Sequence, residues 1–201
     1  MAAENKISID DIKKLREQTG AGMMAAKKAL EEANGDFTKA QENLRLAGAA
    51  SAAKKSDRVA AEGVIVSYVH DNRIGVMVEV NCETDFVART DDFKNFAKDV
   101  AMQIAATNPE YIRPEDVPAE VINKEKELIG KELAAAGKSA EMIEKITDGK
   151  LAKFYEQICL VKQPFIKDQD CTIEQLTAEL VGKLGENIVI GKISRIALGE
   201  K

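Results

Sequence analysis

Apolar residues in the first fifty positions recur at helical spacing in short runs that glycines interrupt. Ile9, Ile12 and Leu15 fall on one stripe of a first helix that stops near Gly20. Ser8 followed by Asp11 resembles a capping box with Asp in place of Glu, and Ile7 and Ile12 occupy the two positions of a hydrophobic staple. A second helix is predicted from about Met23 to Asn34, ending at Gly35, which can take the left-handed cap. Asp36 then caps a third helix running to about Ala47. After Gly48 the stretch AASAAKKSDRVAAEG offers almost no large apolar side chain, so it reads as a tether or a marginal helix. A domain boundary near residue 54 follows: residues 1–54 form a three-helix N-terminal domain with the start of a linker.

From Gly63 the pattern changes, because GVIVSYVH and IGVMVEV are rich in β-branched residues and are separated by Asp71-Asn72-Arg73. These read as two antiparallel strands joined by a hairpin turn. Thr90-Asp91-Asp92 caps a helix in which Phe93, Phe96, Ala97, Val100 and Ile104 recur at helical spacing, and Pro109 closes it. Residues 118–158 read as charged amphipathic helices broken at Gly137 and Gly149. The loop QPFIKDQD, a helix from Thr172 to Leu184 and a final strand in NIVIGKISRIAL complete the chain. Residues 55–201 are therefore expected to form an α+β core, an antiparallel sheet covered by helices.

Composition narrows the function more by exclusion than by assertion. A net charge of −5 provides no overall basic field, so direct nucleic-acid binding is not expected, and Lys54-Lys55 reads as solvated linker charge. No apolar run is long enough to span a bilayer, and the start MAAENKISIDD is acidic and polar where a secretory signal is basic and then apolar, so a cytoplasmic location is expected. Cys82, Cys159 and Cys171 are odd in number and contain no CxxC pair, which argues against a disulfide framework or a structural zinc site, and their roles are not assigned. The single histidine, His70, falls at the hairpin turn with no nucleophile signature beside it. Gly20-Ala21-Gly22 follows a helix and lacks the Lys-Ser/Thr of a phosphate loop, so it reads as a helix break. Asp91-Asp92 and Glu115-Asp116 precede helical segments, where they complement the helix dipole. No catalytic residue, cofactor site or metal site is expected.

What remains are residues suited to touching another protein. NCETDFVAR, Asn81 to Arg89, lies between an apolar strand and a helix, at a junction expected to be exposed. A phenylalanine left in water there forgoes about 2 to 3 kcal/mol of burial, so Phe86 either folds back under its own helix or fills a pocket in another molecule. Met23-Met24 opens the second helix; adjacent positions point about 100° apart, so both cannot be buried in so small a bundle and one is expected to face outward.

KLREQTGAGMMAAKKALEEANGD (Lys14 to Asp36) and VEVNCETDFVAR (Val78 to Arg89) resemble the two signature segments of the bacterial translation elongation factor Ts family. The similarity continues through ITDGKLAKFYEQICLVKQPFIKD and KLGENIVI and so covers nearly the whole chain. The resemblance implies a guanine-nucleotide exchange factor, not an enzyme, in which a ubiquitin-associated-like three-helix domain and a core grip the GTPase elongation factor Tu and speed release of its GDP. It assigns Leu15, Arg16, Met23 and Met24 to docking on the partner's nucleotide-binding domain. It assigns Thr84, Asp85, Phe86, Val87, Ala88 and Arg89 to a segment that enters the partner near its bound magnesium, the Phe wedged between helices. On this reading the pocket for Phe86 belongs to the partner.

Longer relatives carry two related core subdomains, whereas this chain shows no clear internal repeat and resembles the short form of the family, which implies a homodimer paired through its cores. The alternative is a ribosome-associated or peptide-binding adaptor without exchange activity.

Overall fold

Ser8 opens the first helix as its neighbours predict. In the computed structural model, which describes residues 7–200, the Asp11 N–H donates to Ser8 Oγ at 3.0 Å and the Ser8 N–H donates back to the Asp11 carboxylate at 3.1 Å. The first six residues of the expected 1–54 domain lie outside this range. Helix α1 (Ile9–Thr19) ends at Gly20, whose φ of 68° is the left-handed cap. Helix α2 (Met23–Glu32) ends through Asn34 and Gly35 at φ of 52° and 84°. The Asp36 carboxylate then accepts from the N–H groups of Thr38 and Lys39 to start α3 (Phe37–Lys55). The three helices pack around Ile12, Leu15, Ala26, Ala29, Leu30, Ala33 and Ala40, with Ile7 and Phe37 at the margin. Ile9, expected on the core stripe, is instead 67% exposed, because the stripe narrows to Ile12 and Leu15 in a bundle this small.

The stretch after Gly48 is not a tether: α3 continues to Lys55. Alanine is the best helix former, so nothing stops the helix. Its passage is secured at Gly48, where an added Cβ would lie 3.3 Å from the Ala178 carbonyl oxygen. An added Cβ at Gly182 would in turn lie 3.5 Å from Gly48 Cα, so small residues allow α3 to cross the backbone of a later helix, α8 (Ile173–Leu184), closely. Arg45 reaches Glu179 of that helix at 3.1 Å.

Strands β1 (Glu62–His70) and β2 (Ile74–Cys82) form the expected hairpin. Asp71 and Asn72 have φ of 54° and 55°, and the Arg73 N–H donates to the His70 carbonyl at 2.9 Å. Two left-handed residues in succession make a type I′ turn, whose twist matches that of the strands. At Gly63 a Cβ would sit 2.2 Å from the Val80 carbonyl oxygen, so the crossing tolerates only glycine. A four-residue helix, α4 (Asp85–Ala88), precedes α5 (Asp91–Thr107), in which Phe93, Phe96, Ala97, Val100 and Ile104 are buried. Helices α6 (Ala119–Ala135) and α7 (Ala140–Ile158) form a hairpin around Ile129, Leu133 and Leu151. Gly137, at φ 72°, breaks the two as expected. Gly149 breaks nothing; α7 runs through it, because packing of Ile143, Ile146 and Leu151 on both sides outweighs the roughly 1 kcal/mol propensity cost of glycine.

QPFIKDQD is not a plain loop either. Strands β3 (Pro164–Phe165) and β4 (Asp168–Thr172) pair antiparallel. The buried Gln103 amide fastens them: its Nε2 donates to the Pro164 carbonyl at 3.1 Å and its Oε1 accepts from the Ile166 N–H at 2.9 Å. Helix α8 (Ile173–Leu184) and strand β5 (Val189–Ala197) follow. The sheet order is β1-β2-β5, with β2 central, and the architecture is α+β. Contacts divide the chain into two compact units. One takes the residues up to Val64, Val80–Phe96 and Gln175–Val189; the other takes Ile65–Glu79, Ala97–Glu174 and the residues from Ile190. No described helix is long and apolar enough to cross a membrane.

All three cysteines are buried and none is disulfide-bonded. Burial, and then the Asp116 and Glu115 carboxylates, push the Cys159 thiol up to about 11. An unfolded thiol ionises near about 8.5, so the neutral form that the fold holds contributes stability fully below that value and loses it as pH rises through about 11. In denaturant titrations from about pH 8 to about pH 11, stability should therefore fall less steeply for Cys159→Ala than for the parent chain.

Candidate functional site

Thr84 stands at the end of the central strand in extended backbone (φ −131°, ψ 155°), and its hydroxyl oxygen accepts from the Val87 N–H at 3.5 Å. That starts α4. At its far end the Thr90 hydroxyl donates to the Val87 carbonyl at 2.8 Å and accepts from the Phe93 N–H at 3.3 Å, so one side chain closes α4 and opens α5. Between these clamps Ala88 is buried, Val87 is half-buried, and Phe86 is 79% exposed. The Asp85 carboxylate meets the Arg89 guanidinium at 2.7 Å across one helical turn, on the surface. Of the two destinations open to the Phe86 ring, the one under its own helix is not taken.

The backbone before this turn is held from a distant part of the chain. Gly185, at φ 81°, ends α8 with its N–H on the Val181 carbonyl, and Glu186 comes next. One Glu186 carboxylate oxygen accepts from the N–H groups of Glu83 at 3.1 Å and Thr84 at 3.0 Å. The other accepts from the Thr84 hydroxyl at 2.6 Å. Glu83 in turn accepts from the Asn187 N–H at 2.7 Å and from Arg58 at 3.4 Å, and the buried Asn187 amide donates to the carbonyls of Ser56 and Arg58. Inside this knot the Cys82 thiol donates to the Thr84 carbonyl; burial, and then the Glu186 charge, raise its pKa. It stays a thiol at neutral pH.

Sequence reasoning found the turn but not Glu83, Glu186, Asn187 or Arg58. Glu83 and Arg58 stood unremarked inside NCETDFVAR and AASAAKKSDRVAAEG, and the only trace of Glu186 and Asn187 was KLGENIVI, where Gly-Glu-Asn ends a helix about a hundred residues from the strand it serves.

The N-terminal residues divide. Met23 and Met24 are both exposed, at 44% and 76%, where one was expected to be, because the first turn of α2 projects past the bundle core. Arg16 is exposed in the last turn of α1. Leu15 is wholly buried in the bundle core, so it presents no surface and supports the three that do. The α1–α2 turn also rests on α8: a Cβ at Gly20 would lie 3.1 Å from Lys183 Nζ, and Lys183 pairs with Asp92 at 2.7 Å. The bundle and the 84–89 turn belong to one compact unit. Among the described residues no group of three His, Cys, Asp or Glu side chains is placed to hold a metal ion.

This arrangement has no convergent acid, base or nucleophile. It has exposed apolar side chains on two short helices, Met23 and Met24 at the start of α2 and Phe86 on the side-chain-capped α4.

Comparison with known proteins gives a single answer. The family model for elongation factor TS matches residues 2–200. Elongation factor Ts of Carboxydothermus hydrogenoformans is 57% identical over 190 residues, covering 94% of this chain and 88% of that one. Those of Syntrophomonas wolfei and Thermodesulfovibrio yellowstonii are each 53% identical, over 195 and 194 residues; both alignments cover 96% of this chain, and they cover 91% and 97% of those relatives. The chain belongs to the elongation factor Ts family.

Proposed function

We propose that this chain is a guanine-nucleotide exchange factor of translation elongation, binding GDP-bound elongation factor Tu and promoting GDP release. The observation that carries the reading is the placement of Phe86: a benzyl group held in water at the tip of a clamped turn has its pocket in another protein. Residues Thr84 to Arg89 enter the partner beside its magnesium. That ion bridges phosphate oxygens and protein ligands in nearly ideal octahedral geometry, so a small displacement of its surroundings weakens the whole nucleotide site. Asp85 acts there on the partner's polar groups after leaving Arg89. The release costs little, since an exposed pair of this kind is worth about 1 kcal/mol or less. Arg16, Met23 and Met24 dock residues 1–54 on the partner, with Leu15 beneath them. No covalent step is involved. By reciprocity, a factor that weakens nucleotide binding is itself bound more weakly in the presence of nucleotide.

The deciding experiment is release of fluorescent GDP from purified elongation factor Tu with and without this protein. Acceleration is expected, and no acceleration would favour the adaptor reading. The reading also includes a cytoplasmic homodimer paired through its core, where the sheet strands expose Ile65, Val69, Met77 and Ile196. Light scattering should give a mass near twice that of one chain, unchanged by reductant because the three cysteines are buried. A strict monomer at micromolar concentration would remove the dimer from the proposal.

A further inference from the structure

A helix of four residues does not sustain itself, since its nucleation cost falls on too few hydrogen bonds. Yet α4 is ordered around a side chain, Phe86, that makes almost no contact of its own. Its stability must come from its ends. The far end has Ala88 and Thr90; the near end has Thr84, and Thr84 is governed by Glu186.

We infer that Glu186 is a positioning residue for the exchange segment: its carboxylate presets the Glu83–Thr84 backbone and the Thr84 hydroxyl so that the turn bearing Phe86 is formed before the partner arrives. The inference rests on the proposed exchange function of that turn. Three donors converge on one carboxylate, all of them from residues 83 and 84. The hydroxyl contact does more than bind. A hydroxyl has one proton, and because Thr84 gives it to Glu186, a lone pair is left facing the Val87 N–H, as the cap of α4 requires. The neighbouring Asn187 serves differently, since its side-chain amide donates to the Ser56 and Arg58 carbonyls and so fastens the chain after α3. A preformed turn spares the already docked complex the cost of ordering it as the turn enters the partner, so the benefit falls on the exchange step and not on docking.

The test compares the full-length parent chain, Glu186→Ala, Glu186→Gln, Thr84→Val and Phe86→Ala by the rate of fluorescent GDP release against factor concentration. Glutamine offers one acceptor oxygen where three donors need two, so both Glu186 variants should lower the plateau rate, by about tenfold for alanine, an effect on the scale of losing charge-assisted hydrogen bonds. The half-saturating concentration should move less than about twofold, because docking through Arg16, Met23 and Met24 is untouched. Thr84→Val should produce a similar drop that does not add to that of Glu186→Ala, since both remove the same oriented hydroxyl. In amide hydrogen exchange of the free protein, the Thr84 and Val87 N–H groups should lose protection in Glu186→Gln while those of the α1–α3 core keep theirs. A purely structural role would instead raise the half-saturating concentration through loss of folded protein and leave the plateau intact. That result overturns the inference, as does a parental plateau in the Glu186 variants when Phe86→Ala is impaired. A parental plateau in Phe86→Ala overturns the exchange reading of the turn as well.

Discussion

Phe86→Ala should leave the thermal midpoint of the protein nearly unchanged while lowering its stimulation of GDP release by about 10- to 100-fold. The two halves of this expectation come from one number, the 79% exposure of the ring. Truncating a buried Phe costs about 3 to 5 kcal/mol, and truncating an exposed one stays within about 0.5 kcal/mol. An aromatic anchor that fills a partner pocket, by contrast, is worth 2 kcal/mol or more in the complex, and each 1.4 kcal/mol is tenfold. Calorimetry beside stopped-flow release of a fluorescent GDP separates the two. Asp85→Asn gives the complementary result: slower exchange in the presence of magnesium, with the defect shrinking when the ion is chelated, because the step it assists is then already complete. A destabilised Phe86→Ala protein with normal exchange would make Phe86 a core residue and move the mechanism elsewhere.

What could be read from the sequence was the part encoded within a few residues. The Ser8–Asp11 box, the Asp71-Asn72 turn and the Phe93–Ile104 stripe are all local codes, and the structure holds each of them; of the junction Asn81–Arg89, expected to be exposed, Phe86 and Arg89 are exposed while Cys82 and Ala88 are buried. The errors share a cause in contacts that sequence spacing does not display. Alanines after Gly48 are helical in any setting that lets them be, and the contact that accommodates them, Gly48 on Ala178, joins positions 130 residues apart. QPFIKDQD has the polarity of a loop, and the buried Gln103 amide that fastens it as a hairpin lies about sixty residues upstream. Glu186 shows the same limit within the site. Its three donors lie about a hundred residues upstream, and a Glu after a helix-ending glycine looks like any solvated acid until the strand end is brought to it.

Leu15→Ala and Met24→Ala should separate the support of the docking surface from the surface itself. Among the described residues the buried bundle core is largely alanine, with Ile12, Leu15 and Leu30 its large members and Ile7, Phe37 and Leu44 packed at its margin, so the small buried neighbours of Leu15 have little side chain with which to fill the space it leaves. Its truncation should cost about 2 to 5 kcal/mol, at the upper end if the bundle does not collapse around the cavity. Met24, at 76% exposure, should lose almost no stability on truncation. Its loss should instead weaken the complex by about 1 to 3 kcal/mol, mostly as faster dissociation. Removing residues 1–54 as a block is a poorer experiment, because it strips α3 from α8 at Gly48 and disturbs the unit that also holds the 84–89 turn. Unfolding curves and dissociation rates of the two point variants therefore carry the test. A Met24→Ala protein that dissociates at the parental rate would remove α2 from the interface, and a Leu15→Ala protein of parental stability would mean that the alanine-rich core closes over the gap.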